Sequence, residues 1–206
     1  MNNLSNAKSE DTRNRIFQAA AELFANYGFE RVSIRQICEA VGVQKPTLYY
    51  YFKDKETLIL EMIRFTQQIV QAIRKDYVDC KTDFLEKIRG LLYGRKYFVE
   101  TYPHFFRFYA MLHLFSTTEK VRAEMITLML PLLDEFSAIL LQGQEQGYIA
   151  PDEDLEMLMQ TILGTLNGLS MRKFVFQEED AFSDENLQRV FDFWQKHLFL
   201  NPKKRG

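Results

Sequence analysis

The chain has few of the residues that build metal sites, disulfide frameworks and catalytic centres. Its 206 residues include two cysteines, Cys38 and Cys80, and three histidines at positions 104, 113 and 197. No cysteine pair has the short CxxC spacing of a zinc site, and two isolated cysteines do not make a disulfide framework. The scattered histidines suggest no nucleophile–base pair, and no phosphate-binding loop is present. We therefore predict no catalytic residues, no metal site, no cofactor and no enzyme activity.

Long apolar runs are also lacking. No segment approaches the roughly 18 apolar residues that signal a membrane-spanning helix, and the polar start MNNLSNAKSED lacks the apolar region of a signal peptide. Residues 1 to about 10 are expected to be a mobile tail. Hydrophobic residues make up 47% of the chain, enough for a packed core. We expect a soluble protein in the reducing cytoplasm, with no membrane contact.

Strand patterns are missing, and helical patterns fill the chain. Short β-rich runs do not alternate as strands do, whereas apolar residues recur at three- and four-residue spacing. The fold class is therefore all-α, with about nine helices and no repeat. The predicted segments are 16–27, 33–41, 44–52, 54–77, 84–101, 104–116, 119–146, 152–175 and 183–199.

The stretch from Ser33 to Lys55 predicts two short helices joined by a tight turn. Ser33 and Gln36 have the spacing of a capping box. Gly42 suits the sharp change of direction, and Pro46 suits the first turn of the second helix. This layout is a helix-turn-helix motif over residues 33–52. Residues 31–55 carry a net charge of +3, against −5 for the remainder, which favours an anionic partner, although a merely solvated charged face fits equally well.

Two later regions leave alternatives open. Eight aromatic residues lie between Tyr97 and Phe115, and they either line a cavity or form a dense core. Pro131 lies inside a helical pattern and predicts a kink, which favours a pocket nearby. The last two helices carry strong apolar faces, together with a side of small residues from Thr161 to Gly168. They either pack within one chain or form a four-helix contact with a second copy.

The segment from Arg15 to Leu58, RIFQAAAELFANYGFERVSIRQICEAVGVQKPTLYYYFKDKETL, resembles the TetR (tetracycline-repressor) family of bacterial transcriptional regulators. The run EQGYIAPDEDLEML, from Glu145 to Leu158, resembles the approach to that family's penultimate helix. The resemblance implies a DNA-binding domain over residues 11–56 with three helices. It also implies a helical ligand-binding and dimerisation domain over residues 57–200.

By this resemblance the second helix of the motif lies in the major groove of DNA. Arg35 and Lys45 would contact base edges, Pro46 a thymine methyl, and Tyr49 and Tyr51 phosphates, as would Lys55. Tyr51 could equally be a core residue. Gln44 and Pro46 depart from common family residues, which leaves the base preference open. The predicted DNA-binding residues are Ser33, Arg35, Gln44, Lys45, Pro46, Thr47, Tyr49, Tyr50, Tyr51 and Lys55.

The resemblance further implies a small-molecule effector, and the aromatic and methionine side chains suggest an apolar or aromatic one. His104, Gln160 and Phe115 are additional candidates for its surroundings. The predicted ligand-binding residues are Phe98, Phe105, Tyr109, His113, Met125, Met129, Phe136 and Asn167. The ligand would act through the predicted helix 54–77, which joins both domains.

The function expected from these features is that of a homodimeric transcriptional regulator, more specifically a repressor that a small ligand releases from a palindromic operator. The dimer would form through the last two helices. The alternatives are a DNA-binding protein of the same fold that answers to a protein partner or to no small ligand, and an activator.

Overall fold

The computed structural model describes residues 2–114 and 118–200, which form nine α-helices and no strand. This confirms the predicted all-α class, and most predicted breaks fall within a few residues of the observed ones. The helices are α1 (Asn2–Tyr27), α2 (Ile34–Val41), α3 (Lys45–Tyr51), α4 (Lys55–Arg74), α5 (Phe84–Thr101), α6 (Pro103–Leu114), α7 (Glu119–Glu145), α8 (Leu155–Phe174) and α9 (Asp184–His197). A π-helical turn, Lys75–Asp79, follows α4, and a 3₁₀ turn, Glu179–Phe182, precedes α9.

The helices divide into two compact units. One unit holds the chain up to Ile69 together with Tyr102–Leu128, and the other holds Val70–Thr101 and the chain from Met129 onward. Both α4 and α7 therefore contribute residues to each unit. The predicted domains, 11–56 and 57–200, follow the sequence motif and stay a prediction.

The predicted mobile tail is wrong, because α1 begins at Asn2. No glycine or proline interrupts the chain before Gly28. Extending an existing helix costs far less than starting one. A helix whose later turns are packed can therefore continue backward through polar residues that carry no apolar stripe.

The first unit has an aromatic core that reaches beyond the helix-turn-helix segment. Phe17 of α1 lies 5.3 Å from the ring of Phe52 and 5.3 Å from that of Phe65 in α4. Phe65 in turn lies 5.3 Å from Phe105 of α6. Phe24 and Phe108 make a second contact between α1 and α6 at 5.9 Å. The small three-helix core expected from the sequence is thus continuous with α4 and α6.

The second unit contains a π-helical turn where the sequence predicts α4 to continue to Tyr77. An added Cβ at Gly90 of α5 would lie 2.1 Å from the main-chain oxygen of Tyr77. Only glycine permits this close approach. The backbone of the π-helical turn therefore packs directly against the backbone of α5 at Gly90. Periodicity cannot distinguish this local widening from a regular α-helix.

The strongest apolar faces of α8 and α9 are buried inside the second unit. Leu158, Ile162 and Leu166 are buried on α8, and Phe191 and Trp194 on α9. The guanidinium of Arg89 in α5 lies 4.2 Å above the Phe191 ring. For these faces the alternative of packing within one chain is correct. Helix α7 runs unbroken through Pro131, and the size of any bend there stays a prediction.

Candidate nucleic-acid interface

The start of α2 is fixed by the predicted capping box. The backbone N–H of Gln36 donates to Ser33 Oγ at 3.3 Å, and the backbone N–H of Ser33 donates to Gln36 Oε1 at 2.8 Å. These bonds satisfy two backbone donors that a helix start leaves without partners. Ile37, Cys38 and Val41 are buried beneath the helix. The buried side chains and the cap together set which residues of α2 face outward, and Arg35 is one of them.

The turn between α2 and α3 depends on Gly42. This residue has the left-handed conformation, φ 73° and ψ 35°, and its N–H donates to the carbonyls at the end of α2. A left-handed residue ends a helix at little cost only when it has no Cβ. Gln44 then precedes α3 with extended backbone and makes no side-chain bond to its first turn. Gln44 therefore occupies the N-cap position of α3 without capping the helix through its side chain.

Helix α3 has one buried side and one exposed side. Leu48 and Phe52 are fully buried. Tyr50 is 79% exposed and Tyr49 is 49% exposed, unusual values for large aromatic residues. Eight predicted DNA-binding residues are exposed, and we call them the recognition surface: Ser33, Arg35, Gln44, Lys45, Pro46, Thr47, Tyr49 and Tyr50.

Tyr51 lies between the two roles considered from the sequence. It is half-buried, and its ring meets Tyr50 edge-on at 5.0 Å and lies 6.2 Å from Phe52. Tyr51 thus contacts the buried Phe52 on one side and the exposed Tyr50 on the other. It lies at the margin of the recognition surface.

Lys55 is more constrained than a phosphate-contacting lysine needs to be. Its ammonium donates to the carbonyl of Val32 at 2.7 Å and lies 4.1 Å above the ring of Phe29. Burial lowers the pKa of Lys55 from its ordinary value. An ammonium has three N–H donors, so these contacts leave capacity for a phosphate oxygen. Lys55 therefore ties α4 to the segment before α2, and the predicted phosphate contact would come in addition.

Two arginines that position the motif had no signal in the sequence. Arg15 of α1 donates to the carbonyl of Val41 at 2.6 Å, at the end of α2. Arg13 pairs with Glu61 of α4 at 2.7 Å and lies 4.5 Å above the ring of Phe17. Single polar residues on an exposed helix side look alike in sequence, so only the fold identifies these two as contacts between helices.

The predicted ligand-binding residues fall in both compact units. Phe105 and Met125 are buried in the first unit, and Tyr109 is half-buried there. In the second unit Phe98 and Phe136 are buried and Met129 is half-buried. The side chain of His113 and the whole of Phe115 lie outside the described residues.

Asn167 and Gln160, two of the candidates for the surroundings of the ligand, do not face the interior of the chain. Both are exposed on α8, because the buried stripe of that helix runs through Leu158, Ile162 and Leu166 on another side. A contact of Asn167 with a ligand stays a prediction, and the side chain is exposed in the described part of the chain.

The helix-turn-helix geometry coincides with a known family signature. The model of the family "Bacterial regulatory proteins, tetR family" matches residues 16–62, which cover the second half of α1, α2, α3 and the start of α4. Residues 16–62 therefore carry the DNA-binding segment of the TetR family. The protein is accordingly a DNA-binding transcriptional regulator.

Named relatives extend the likeness beyond the motif. The chain is 26% identical over 160 residues to the HTH-type transcriptional repressor KstR2 of Mycobacterium tuberculosis, covering 74% of this chain and 76% of KstR2. It is 26% identical over 154 residues to the fatty acid metabolism regulator protein of Bacillus subtilis, covering 74% and 78%. These relatives support a transcriptional repressor.

A solved structure shares the fold. The crystal structure of FadR from Bacillus subtilis in complex with stearoyl-CoA aligns with a TM-score of 0.71 at 22% identity, covering 87% of this chain and 95% of that chain. At this identity the likeness concerns the fold alone. Among the described helices of the regulator, none has the length and apolar character needed to span a bilayer.

Proposed function

We propose that this regulator is a homodimeric repressor that binds a palindromic operator through its recognition surface and leaves it when a small apolar ligand binds. The recognition surface is the observation that supports the DNA-binding part of this proposal. Exposed Lys45, Thr47, Tyr49 and Tyr50 project from a helix whose other side, at Leu48, is buried. Apolar packing fixes the helix, and its polar and aromatic side chains stay available for an external partner.

The chemistry of these side chains fits a DNA groove. Within the described residues, Arg35 forms an exposed ion pair with Glu39 at 3.2 Å, so its guanidinium can exchange that carboxylate for guanine O6 and N7. Lys45 can serve the same acceptors, and the methyl of Thr47 or the ring of Pro46 can pack on a thymine methyl. Tyr49, Tyr51 and Lys55 would donate to phosphates and fix the register of the helix.

The proposed dimer is supported by a stripe of exposed small and apolar residues on α8 and at its C-cap, Val175. Its members are separated alternately by four and three residues, the spacing at which two helices keep one seam in contact. At Gly164 and Gly168 an added Cβ would meet no atom of the chain within 4 Å. The stripe consists of Met157, Thr161, Gly164, Gly168, Met171 and Val175. A second copy, placed by a two-fold axis, would cover the stripe with the same residues.

A single substitution tests the proposed dimer without disturbing the fold of one chain. Gly164→Leu has room in one chain, so the free energy of unfolding should be unchanged or raised, since glycine is a poor helix former. Its side chain would prevent close approach of a second α8, and sedimentation should report monomers. Gln160→Leu, exposed on the same helix but outside the stripe, is the matched control and should remain dimeric. Dimers in both variants would contradict the proposed interface.

The proposed ligand is a molecule with a long apolar part, such as an acyl chain. Buried Phe105 and Met125 give the first unit an apolar interior that suits it. The stearoyl-CoA of the Bacillus subtilis structure makes an acyl-CoA thioester the first compound to examine.

Contacts inside the first unit provide a route from ligand to DNA. Helix α6 is bound to α1 by the donation of Arg107 to the carbonyl of Ala25, at 3.3 Å, and by the contact of Phe24 with Phe108. A ligand that moves α6 or α4 would therefore displace the floor of the helix-turn-helix. To release DNA it must favour the other conformation by about 1–3 kcal/mol, a typical coupling free energy.

The experiment is a titration of the protein–operator complex, followed by fluorescence anisotropy, with stearoyl-CoA, stearic acid and coenzyme A added separately. The proposal expects stearoyl-CoA to weaken operator binding by about 5–150-fold, while coenzyme A, which lacks the apolar chain, has no effect and stearic acid, which lacks the donors of the coenzyme A part, has a smaller effect than stearoyl-CoA. If the acyl compounds bind the protein and leave operator affinity unchanged, the release mechanism is wrong.

A further inference from the structure

Gln67 of α4 is a buried polar residue whose side-chain oxygen is not used in a hydrogen bond within the described residues. The residue is 5% exposed. The Nε2 group donates to the main-chain carbonyl of Leu128 in α7 at 3.2 Å, which fixes the amide orientation. Among the described residues, Oε1 has no hydrogen-bond partner, although it is buried. Both Gln67 and Leu128 belong to the first unit.

The adjacent residue shows how the fold treats a buried polar group that has only a structural role. Thr66 is completely buried, and its hydroxyl donates to the carbonyl of Met62 at 2.8 Å. A buried acceptor without a partner costs about 1–3 kcal/mol. An apolar residue of similar size, such as methionine, would avoid that cost at position 67. A retained cost of this kind is typical of functional positions rather than structural ones.

A second buried polar atom in the first unit has the same character. Nδ1 of His104, at the start of α6, is buried and has no hydrogen-bond partner among the described residues. The first unit thus contains two polar atoms whose partners its described residues do not supply. Gln67 carries the inference because its amide is fixed by the Leu128 bond and because its oxygen can only accept.

We propose that Oε1 of Gln67 accepts a hydrogen bond from the effector, which is therefore an apolar molecule carrying an uncharged donor, a hydroxyl or an amide N–H. This inference rests on the proposed function, since it concerns the ligand that releases DNA. An ionised carboxylate or an ether offers Oε1 no donor, and a carboxylate would also add a negative charge beside it. Gln67 would select for the donor, while the apolar part of the molecule supplies most of the burial.

The first part of the test needs no ligand. Gln67→Met removes the unpaired oxygen at nearly constant volume, and it also removes the bond from Nε2 to the Leu128 carbonyl. Because the relief of the unpaired acceptor offsets the lost bond, the thermal midpoint of the ligand-free protein should stay the same or rise by up to about 2–4 °C. Gln67→Leu is the second variant, in case methionine packs poorly. Thr66→Val removes a hydroxyl that has a partner, and its midpoint should not rise. If Gln67→Met and Gln67→Leu both lower the midpoint, the oxygen is already satisfied in the ligand-free protein and the inference is wrong.

The second part compares probes that share one apolar chain: dodecanol, dodecyl methyl ether and sodium dodecanoate. Calorimetric titration of the wild-type protein should show that dodecanol binds about tenfold more tightly than the ether or the carboxylate. In Gln67→Met the preference for dodecanol over the ether should fall to about one. In Thr66→Val it should persist.

A parallel measurement of operator release with the same probes distinguishes a failure of the Gln67 inference from a failure of the proposed function. Equal binding of dodecanol and the ether by the wild-type protein, or binding of neither, overturns the role of Gln67. If probes still release the operator in that case, the proposed function survives without this inference. If dodecanol is preferred through Gln67 and no compound changes operator affinity, the site binds the donor and the release mechanism fails instead.

Discussion

The recognition surface and the aromatic core beneath it are built by different kinds of interaction. The surface is specified within a short stretch of chain, by the Ser33 cap, the left-handed Gly42 and the buried Leu48. The core joins Phe17, Phe65 and Phe105, which are far apart in sequence. Local rules thus present side chains to an external partner, whereas distant packing determines what an interior can hold. If the two regions are separable, a substitution in the core should change stability, and a substitution in the recognition surface should change operator binding alone.

The largest effect is expected from truncating an aromatic side chain of the core. Phe105→Ala removes a buried ring that contacts Phe65, and it should lower the free energy of unfolding by about 3–5 kcal/mol, measured by urea denaturation. Tyr50→Ala removes an aromatic ring of the recognition surface and should change that free energy by less than about 0.5 kcal/mol. It should nevertheless weaken operator binding. Equal losses of stability would show that α3 and the core are not separate.

A second prediction concerns sequence preference. Arg35→Ala should cost about 1–3 kcal/mol of binding to the preferred operator and much less on operators altered at one position of each half-site. Stability should hardly change, because the ion pair lost, with Glu39, is exposed to solvent. Anisotropy titrations against a panel of single-position operator variants measure this. A uniform loss over the whole panel would indicate that Arg35 contacts phosphate and not a base.

A residue that belongs to both regions should lose both properties. Lys55→Ala removes the hydrogen bond to the Val32 carbonyl and the contact with the Phe29 ring. The free energy of unfolding should therefore fall by about 1–2 kcal/mol. Operator affinity should fall for all sequences alike, with a salt dependence flatter by about one unit. Lys53→Ala, exposed two residues earlier, is the control for charge alone. An unchanged free energy of unfolding in Lys55→Ala would contradict the structural role of Lys55.

The smallest effect is a pH-dependent one at the start of α4. Asp54 Oδ1 accepts from the backbone N–H of Thr57 at 2.7 Å, and this bond lowers the pKa of Asp54. A lowered pKa stabilises the fold above the ordinary carboxyl value, and the benefit disappears as the pH falls through the lowered one. Asp54→Ala should therefore cost about 1 kcal/mol at neutral pH and less below pH 3.8. Asp54→Asn, which keeps a capping oxygen, should cost less at neutral pH. A deficit that grows on acidification would contradict this role.

Much of the fold could be predicted from local features of the sequence. The capping box at Ser33, the glycine turn at Gly42 and the break at Pro103 are decided within a few residues of themselves, and the structure has each of them. The apolar stripe of α8 was also predictable, because helical periodicity alone defines it. Its exposed stripe, centred on Gly164 and Gly168, was recognised as a side of small residues.

The remaining features depend on contacts between distant segments. Nothing local reveals that Lys55 binds the Val32 carbonyl or that Arg15 binds that of Val41. The buried oxygen of Gln67 is equally hidden, since a glutamine within a long amphipathic helix is ordinarily exposed. The division into two units, with α4 and α7 contributing to both, likewise depends on packing that sequence periodicity does not contain.

The most direct test of DNA recognition is selection of duplexes from a random pool by the purified protein at low salt, with Arg35→Ala beside the wild type. The wild type should select a palindrome with two equal half-sites, because two recognition helices would enter major grooves about 34–36 Å apart. Arg35→Ala should select the same palindrome with one relaxed position in each half. If the wild type selects no sequence, the exposed residues from Ser33 to Tyr50 are an ordinary solvated surface, and the proposed operator recognition is wrong.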